Sequence, residues 1–349
     1  MLQTHARLTK SRAGFVTLIS LLVVALVTVV LFSLATGAVR VSPAAISAAL
    51  FGDHPLTPTQ RIILLQIRLP RVLASGVVGA ALAISGLMFQ GLFRNPMADP
   101  YVIGSSGGAV LGACIGIFFF SQVSVFGFSA TALMAFVGSV ITMALVYSLA
   151  RSNGRTNVIT LLLAGFAVST MLGYSSYFFE AFDSGSASNH LILLSWLHGV
   201  IGIPHWTQLS VSGALLLFAA AIAIPLMRRL NTLALGDEYA HQLGLKVEYT
   251  RIGIILTGSL LTAVAVSLGG LISFAGLIVP HVARLLLGPD HVRLLPVTAL
   301  SGAIFLVAAD TLARSIFAPS EIPVGILMAF LGGPFFLYLL RKTKRSYVL

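Results

Sequence analysis

Ionisable side chains are scarce in this 349-residue chain, and the few present define the chemistry open to it: 21 Lys and Arg, 10 Asp and Glu, and 8 His. Arg68 and Arg71 flank Pro70 at a spacing of one helical turn, so both cations share a helix face. Arg314 follows Asp310 by four residues, the spacing of an intrahelical ion pair. Such groups can anchor helix ends at lipid headgroups or receive an acidic protein partner. Asp237 and Glu238 sit where a short helix would begin, which suits the positive end of its dipole. Proton-coupled transport calls for carboxylates or histidines at mid-membrane depth, and Asp310 is the one acidic candidate inside an apolar span. His190, His198, His205 and His281 lack the paired spacing of metal ligands, so no metal site is expected. Glu180 and Asp183 read as an ordinary solvated helix end. An intramembrane enzyme would need a nucleophile beside a base, a His-Glu-x-x-His motif or clustered carboxylates, and none occurs. None of the four lysines follows a glycine, which rules out a Gly-x-x-x-x-Gly-Lys-[Ser/Thr] phosphate loop. Any nucleotide chemistry would have to come from a partner.

Apolar helices must position these groups. Only 9% of residues are charged, 57% are hydrophobic and the mean hydropathy is +0.99. A soluble chain has roughly a quarter of its residues charged. About 20 apolar residues cross the hydrocarbon core as a helix. By that rule the spans are Phe15–Ala38, Val72–Phe93, two within the charge-free Tyr101–Ala150 broken at Ser121–Ser129, and Thr156–Phe179. Thr207–Met227, Ile252–Val279, a shorter Ala275–Leu287, Leu294–Ala309 and Ile322–Leu340 complete an all-α polytopic membrane protein of about ten helices. The first span is too long for a signal-peptide core. Basic residues collect in cytoplasmic loops. With an inside N-terminus, all of the 21 except Arg40, Arg61, Arg68, Arg71 and Arg314 fall on that side. Both termini are then cytoplasmic, and the net charge of +11 signals topology, not nucleic-acid binding. The single cysteine, Cys114, can make no intrachain disulfide.

The chain reads as one integral-membrane domain over residues 1–349. Gly86-Leu87 precedes Pro96 as Gly270-Leu271 precedes Pro280, an echo that suggests two five-helix halves in inverted orientation. Gly104, Gly108, Gly112 and Gly116 recur every four residues, a stripe that lets helix backbones approach closely in lipid. Between two spans on the cytoplasmic side lies a segment at 233–245. Its Leu235, Leu243 and Leu245 suggest a small apolar face, and Gly244 suggests a helix end. Its acidic start is unlike a helix resting on headgroups, so it reads as a docking element for a cytoplasmic protein.

Glu238-Tyr239-Ala240 followed by Gly244 resembles the Glu-Ala-Ala-x-x-x-Gly signature of binding-protein-dependent ABC importer permeases, with Tyr239 in place of Ala. Arg68-Leu69-Pro70-Arg71, Asn95-Pro96-Met97-Ala98-Asp99-Pro100, Gly276-Leu277-Ile278-Val279-Pro280-His281, Ala309–Arg314 and Glu321–Gly325 narrow the resemblance. Together they resemble the permeases that import ferric siderophores, haem and vitamin B12. The resemblance implies a homodimer in the bilayer of the cell (inner) membrane, two cytoplasmic ABC ATPase subunits that bind ATP and magnesium, and an extracytoplasmic binding protein. No cofactor would be bound by this chain. It further implies ATPase coupling by Leu235, Gly236, Asp237, Glu238, Ala240, His241, Gln242, Leu243 and Gly244. Binding-protein docking would fall to Arg68, Arg71 and Arg314, and a cytoplasmic gate to Asn95, Pro96 and Met97, with further gate residues around Asn157–Thr160. The cargo expected is an iron chelate, ferric siderophore or haem. The alternatives are vitamin B12 or, in a different class, an ion-coupled secondary transporter.

Overall fold

The computed structural model describes residues 11–37, 41–42, 46–47, 57–125, 127–152, 155–182, 187–318 and 320–344. Arg7, Lys10, Arg40, Asp183 and Arg345 of the charges considered above lie outside the described residues. Helix α1 spans Arg12–Ala35. A rod of 35 residues, α2, runs Pro58–Leu92, with a π-helical stretch at Ile62–Arg68. Then come α3 (Ser105–Phe120), α4 (Ala130–Ala150), α5 (Val158–Gly173), α6 (Ser175–Phe182) and α7 (Ala187–Leu197). The second half holds α8 (Trp206–Leu233), α9 (Asp237–Gln242), α10 (Val247–Gly269), α11 (Ala275–Leu287), α12 (His291–Ser315) and α13 (Val324–Lys344). Two small antiparallel hairpins, Ser124–Val125 with Phe128–Ser129 and Arg151–Ser152 with Arg155–Thr156, join α3 to α4 and α4 to α5.

Seven described helices are long and apolar enough to cross a membrane. Three shorter apolar ones, Ser105–Phe120, Ala275–Leu287 and Val324–Tyr338, bring the set to the ten expected. The break expected at Ser121–Ser129 is the first hairpin. Several features differ, among them the start of α2 at Pro58, well before the expected Val72. The seventh span ends at Gly269, ten residues before the expected Val279, because Gly270 takes φ 66 and turns the chain away. Helix α7 was not expected at all: its 11 residues are too short to register as a crossing.

Helix α2 is the hub of the bundle. From Val78 to Leu92 every residue is buried. It packs antiparallel to α12, with Arg71 beside Asp310, Gly79 against Gly302 and Gly91 against His291. It is also antiparallel to α10: Val78 lies beside Gly269, while the Ser85 hydroxyl donates to the Gly258 carbonyl at 2.7 Å and meets Thr262 at 2.8 Å. The second and seventh apolar helices thus face one another in opposite senses, as two inverted halves require. The Gly86 and Gly270 echo is not the structural basis of that symmetry. Gly86 lies mid-helix against the Gly276 backbone, whereas Gly270 terminates a helix.

Close backbone approach holds α3 on α4. A Cβ at Gly112 would sit 1.9 Å from the Met134 carbonyl oxygen, and Gly108 and Gly116 are equally filled by α4. Gly104 departs from the stripe, since it caps α3 in the left-handed region and faces Gly165 of α5. The outer faces are apolar instead of charged: Val16, Leu21 and Val24 of α1, Ile141 and Leu149 of α4, and Leu217 of α8 are all well exposed. Such a surface is matched by lipid.

Candidate functional site

The 233–245 segment forms a small protrusion at one end of the bundle, built around a single buried residue. Ala240 is fully buried. Gly236 opens α9 with φ 119, and Gly244 closes it with φ 80. The Leu245 amide donates to the Ala240 carbonyl and the Gly244 amide to that of His241, both at 2.9 Å, which is the paired bonding of a Schellman cap. Leu235, Tyr239 and Leu243, spaced by four, project outward at 63%, 66% and 67% exposure. The outward face therefore differs from the expected Leu235, Leu243 and Leu245. Leu245 turns inward onto the core because the cap reverses the chain, and Tyr239 takes its place. Glu238, His241 and Gln242 are exposed beside the stripe. A cleft of about 730 Å³, lined by Asp237, Glu238, His241, Lys246, Glu248, Tyr249 and Arg251 among others, separates α9 from the start of α10.

Asp237 points the other way, into the bundle end. Its carboxylate accepts from Arg94 at 2.8 Å and from Arg251. Arg94 also donates to the Leu233 carbonyl at 2.7 Å, so it grips the corner between α8 and α9. The Arg94 backbone has φ 50, a left-handed conformation that costs a side-chain-bearing residue about 1–2 kcal/mol. Next in the chain come Asn95, Pro96 and Met97, folded into a tight turn in which the Asn95 side chain accepts from the Met97 amide at 2.9 Å. Thr156, just before α5, gives its amide (3.1 Å) and hydroxyl to Glu248, and its carbonyl accepts from Arg251 at 3.3 Å. Asn157 then caps α5, accepting from the Ile159 and Thr160 amides. Nearby, Asn231 at the end of α8 bonds both Asp290 and His291. Arg94 and Arg251 read only as topology signals in the sequence. For Arg94 the available clue is its place immediately before the Asn-Pro turn.

Arg68, Arg71 and Arg314 come together at the opposite end, largely withdrawn from the surface. Arg68 is 5% exposed and donates to the Leu34 carbonyl at 2.6 Å. Arg314 is 6% exposed and donates to the Ser33 carbonyl at 3.1 Å and hydroxyl at 2.7 Å. Arg71 meets Asp310 at 3.1 Å and Glu321 at 2.7 Å, and Asp310 also lies 3.4 Å from Arg314. Gly37, Ile63, Ile67, the three arginines and Glu321 line a cavity of about 220 Å³, and Glu321 is the most exposed charge of the set. Three cations thus face two acids of the same chain.

A third cavity, about 400 Å³, opens on the side of the bundle between Asp99, Tyr101, Ser106, Gly165, Phe166, Ser169 and Thr170. Among the described residues no cluster of three His, Cys, Asp or Glu is placed to hold a metal.

This architecture is that of a polytopic helical membrane protein with a protruding helix at one end and a buried arginine cluster at the other. The chain belongs to the FecCD transport family, which is matched over residues 23–342. It is 45% identical to the cobalamin import system permease protein BtuC of Halobacterium salinarum, over 82% of this chain and 75% of that one. It is 41% identical to the hemin transport system permease protein HmuU of Yersinia pestis, over 81% of this chain and 84% of that one. Among solved structures it resembles an inward-facing metal-chelate type ABC transporter with a TM-score of 0.80 and 31% identity, covering 93% of this chain and 99% of the other.

Proposed function

We propose that this chain is the permease subunit of an ABC importer for an iron chelate, ferric siderophore or haem, and that it performs no covalent chemistry itself. Two copies form the translocation path in the cell membrane. Two ATPase subunits, which hold the ATP and magnesium, dock on the Asp237 end, and a binding protein delivers cargo to the Arg71 end. The Asp237 end and both termini then face the cytoplasm. The observation that carries the reading is the α9 protrusion. An unpaired Leu235–Tyr239–Leu243 stripe on a rigidly capped helix suits the groove of a protein partner. A secondary transporter fits poorly, because Asp310, the acid within a described span, already has its charge compensated by Arg71 and Arg314.

Purified permease should capture its ATPase in a pull-down, and replacing Glu238 together with Gly244 should abolish capture while the membrane fold survives. Unchanged capture by that variant would end the coupling assignment. The 45% relative favours a second cargo, cobalamin. Liposomes carrying the complete importer, offered haem or cobalamin on the binding protein, separate the two. At the other end, Arg71→Gln should weaken binding-protein docking while basal ATP hydrolysis continues, with the melting temperature measured alongside because the change also removes a partner of Asp310. Unaltered docking would leave the arginines as helix anchors.

A further inference from the structure

Coupling a protruding helix to a pathway requires a mechanical connection, and the bonds at the base of α9 supply one. Asp237 is the shared terminus of two arginines, Arg94 and Arg251. Each leads to a different candidate gate segment. Arg94 is covalently followed by the Asn95-Pro96-Met97 turn and holds a left-handed backbone at that junction. Arg251 bonds the Thr156 carbonyl, and Glu248 bonds the Thr156 amide and hydroxyl, directly before the Asn157 cap of α5. Arg94 and Asp237 are each nearly half exposed. Exposed pairs contribute little to folding stability, so stability does not explain the Arg94–Asp237 pair; Arg251, at 16% exposure, is the more buried anchor of the two. Strained residues held by their surroundings are common at switch regions, and Arg94 is held by Leu233 and Asp237.

We propose that Arg94 and Arg251, joined through Asp237, are positioning residues that transmit motion of α9 to both gate segments at once. The inference rests on the ATPase-coupled reading above. Its test uses Met97→Cys as a reporter in the complete permease–ATPase complex. The native Cys114 is buried. A charged maleimide probes the reporter thiol in the nucleotide-free and vanadate-trapped states.

With the arginines intact, trapping should change the labelling rate by about ten-fold, an ordinary coupling between sites. Arg94→Gln should abolish that change at Met97→Cys, and Arg251→Gln the corresponding change at a second reporter, Ile159→Cys beside Asn157, while ATPase capture and ATP hydrolysis persist. At each reporter the double variant should be no worse than the single that serves it, because the two branches part at one carboxylate. Arg94 reaches Leu233 and Asp237 from a single guanidinium nitrogen, so Arg94→Lys, which keeps the charge on a nitrogen with several donors, should restore most of the response lost in Arg94→Gln. Arg251→Gln, read at its own reporter, carries the test if Arg94→Gln does not fold. A labelling change that survives in the single variants, losses that multiply in the double, or a reporter indifferent to nucleotide would each overturn the proposal. Failure to capture any ATPase would instead remove the permease reading itself.

Discussion

Asp310 accepts from Arg71, which arrives across a helix interface, and lies beside Arg314 one turn further along its own helix. Its side chain is 1% exposed, so the two cations depend on it for compensation. Removing one member of a buried charge group costs about 3–5 kcal/mol. Asp310→Ala is therefore expected to lower stability in detergent denaturation by that order, and an unchanged midpoint would show that water already solvates the cluster. The sequence made the Asp310–Arg314 relation legible, because spacing by four defines a helix neighbour. It could not show Arg71, 239 residues away, nor the backbone carbonyls of Ser33 and Leu34 that hold Arg314 and Arg68. Pairing across helices depends on how the helices cross, and one-dimensional periodicity carries no information on that.

Helices α3 and α9 use glycine for opposite purposes. At Gly112 the missing Cβ admits the Met134 carbonyl, so Gly112→Leu should separate α3 from α4 and lower the melting temperature by several degrees. At Gly244 nothing lies within 4 Å of a would-be Cβ, and the constraint is the positive φ alone. Gly244→Ala is thus expected to cost about 1 kcal/mol locally, seen as faster amide exchange in α9, with the bundle unaffected. Leu243→Asp probes the stripe without touching the fold, since Leu243 is two-thirds exposed. ATPase capture should fall at least ten-fold, on the scale of a lost apolar anchor, and undiminished capture would show that the stripe faces lipid. The helix at 237–242 was readable from its acidic start and closing glycine. The identity of its outward face was not, because the Schellman reversal that turns Leu245 inward is a three-dimensional event.

The whole molecule is organised about α2, which carries the arginine cluster near one end and the Arg94 corner just beyond the other. The count of apolar helices was legible because lipid imposes a length on each crossing. The element that escaped, α7, is the one too short to be subject to that length. From Arg71 to Leu92 the helix rises about 32 Å at 1.5 Å per residue, against a hydrocarbon core of about 30 Å. The rod is therefore a ruler set to the bilayer. Stretching or thinning the membrane would draw one charged end toward the acyl chains or expose apolar flanks, at a cost of a fraction of a kcal/mol per ångström. Acyl-chain length then becomes an experimental variable: uptake in proteoliposomes should peak where the hydrocarbon thickness matches this interval and decline in both shorter-chain and longer-chain lipids. The buried arginines set a depth at which this protein is at rest in its membrane.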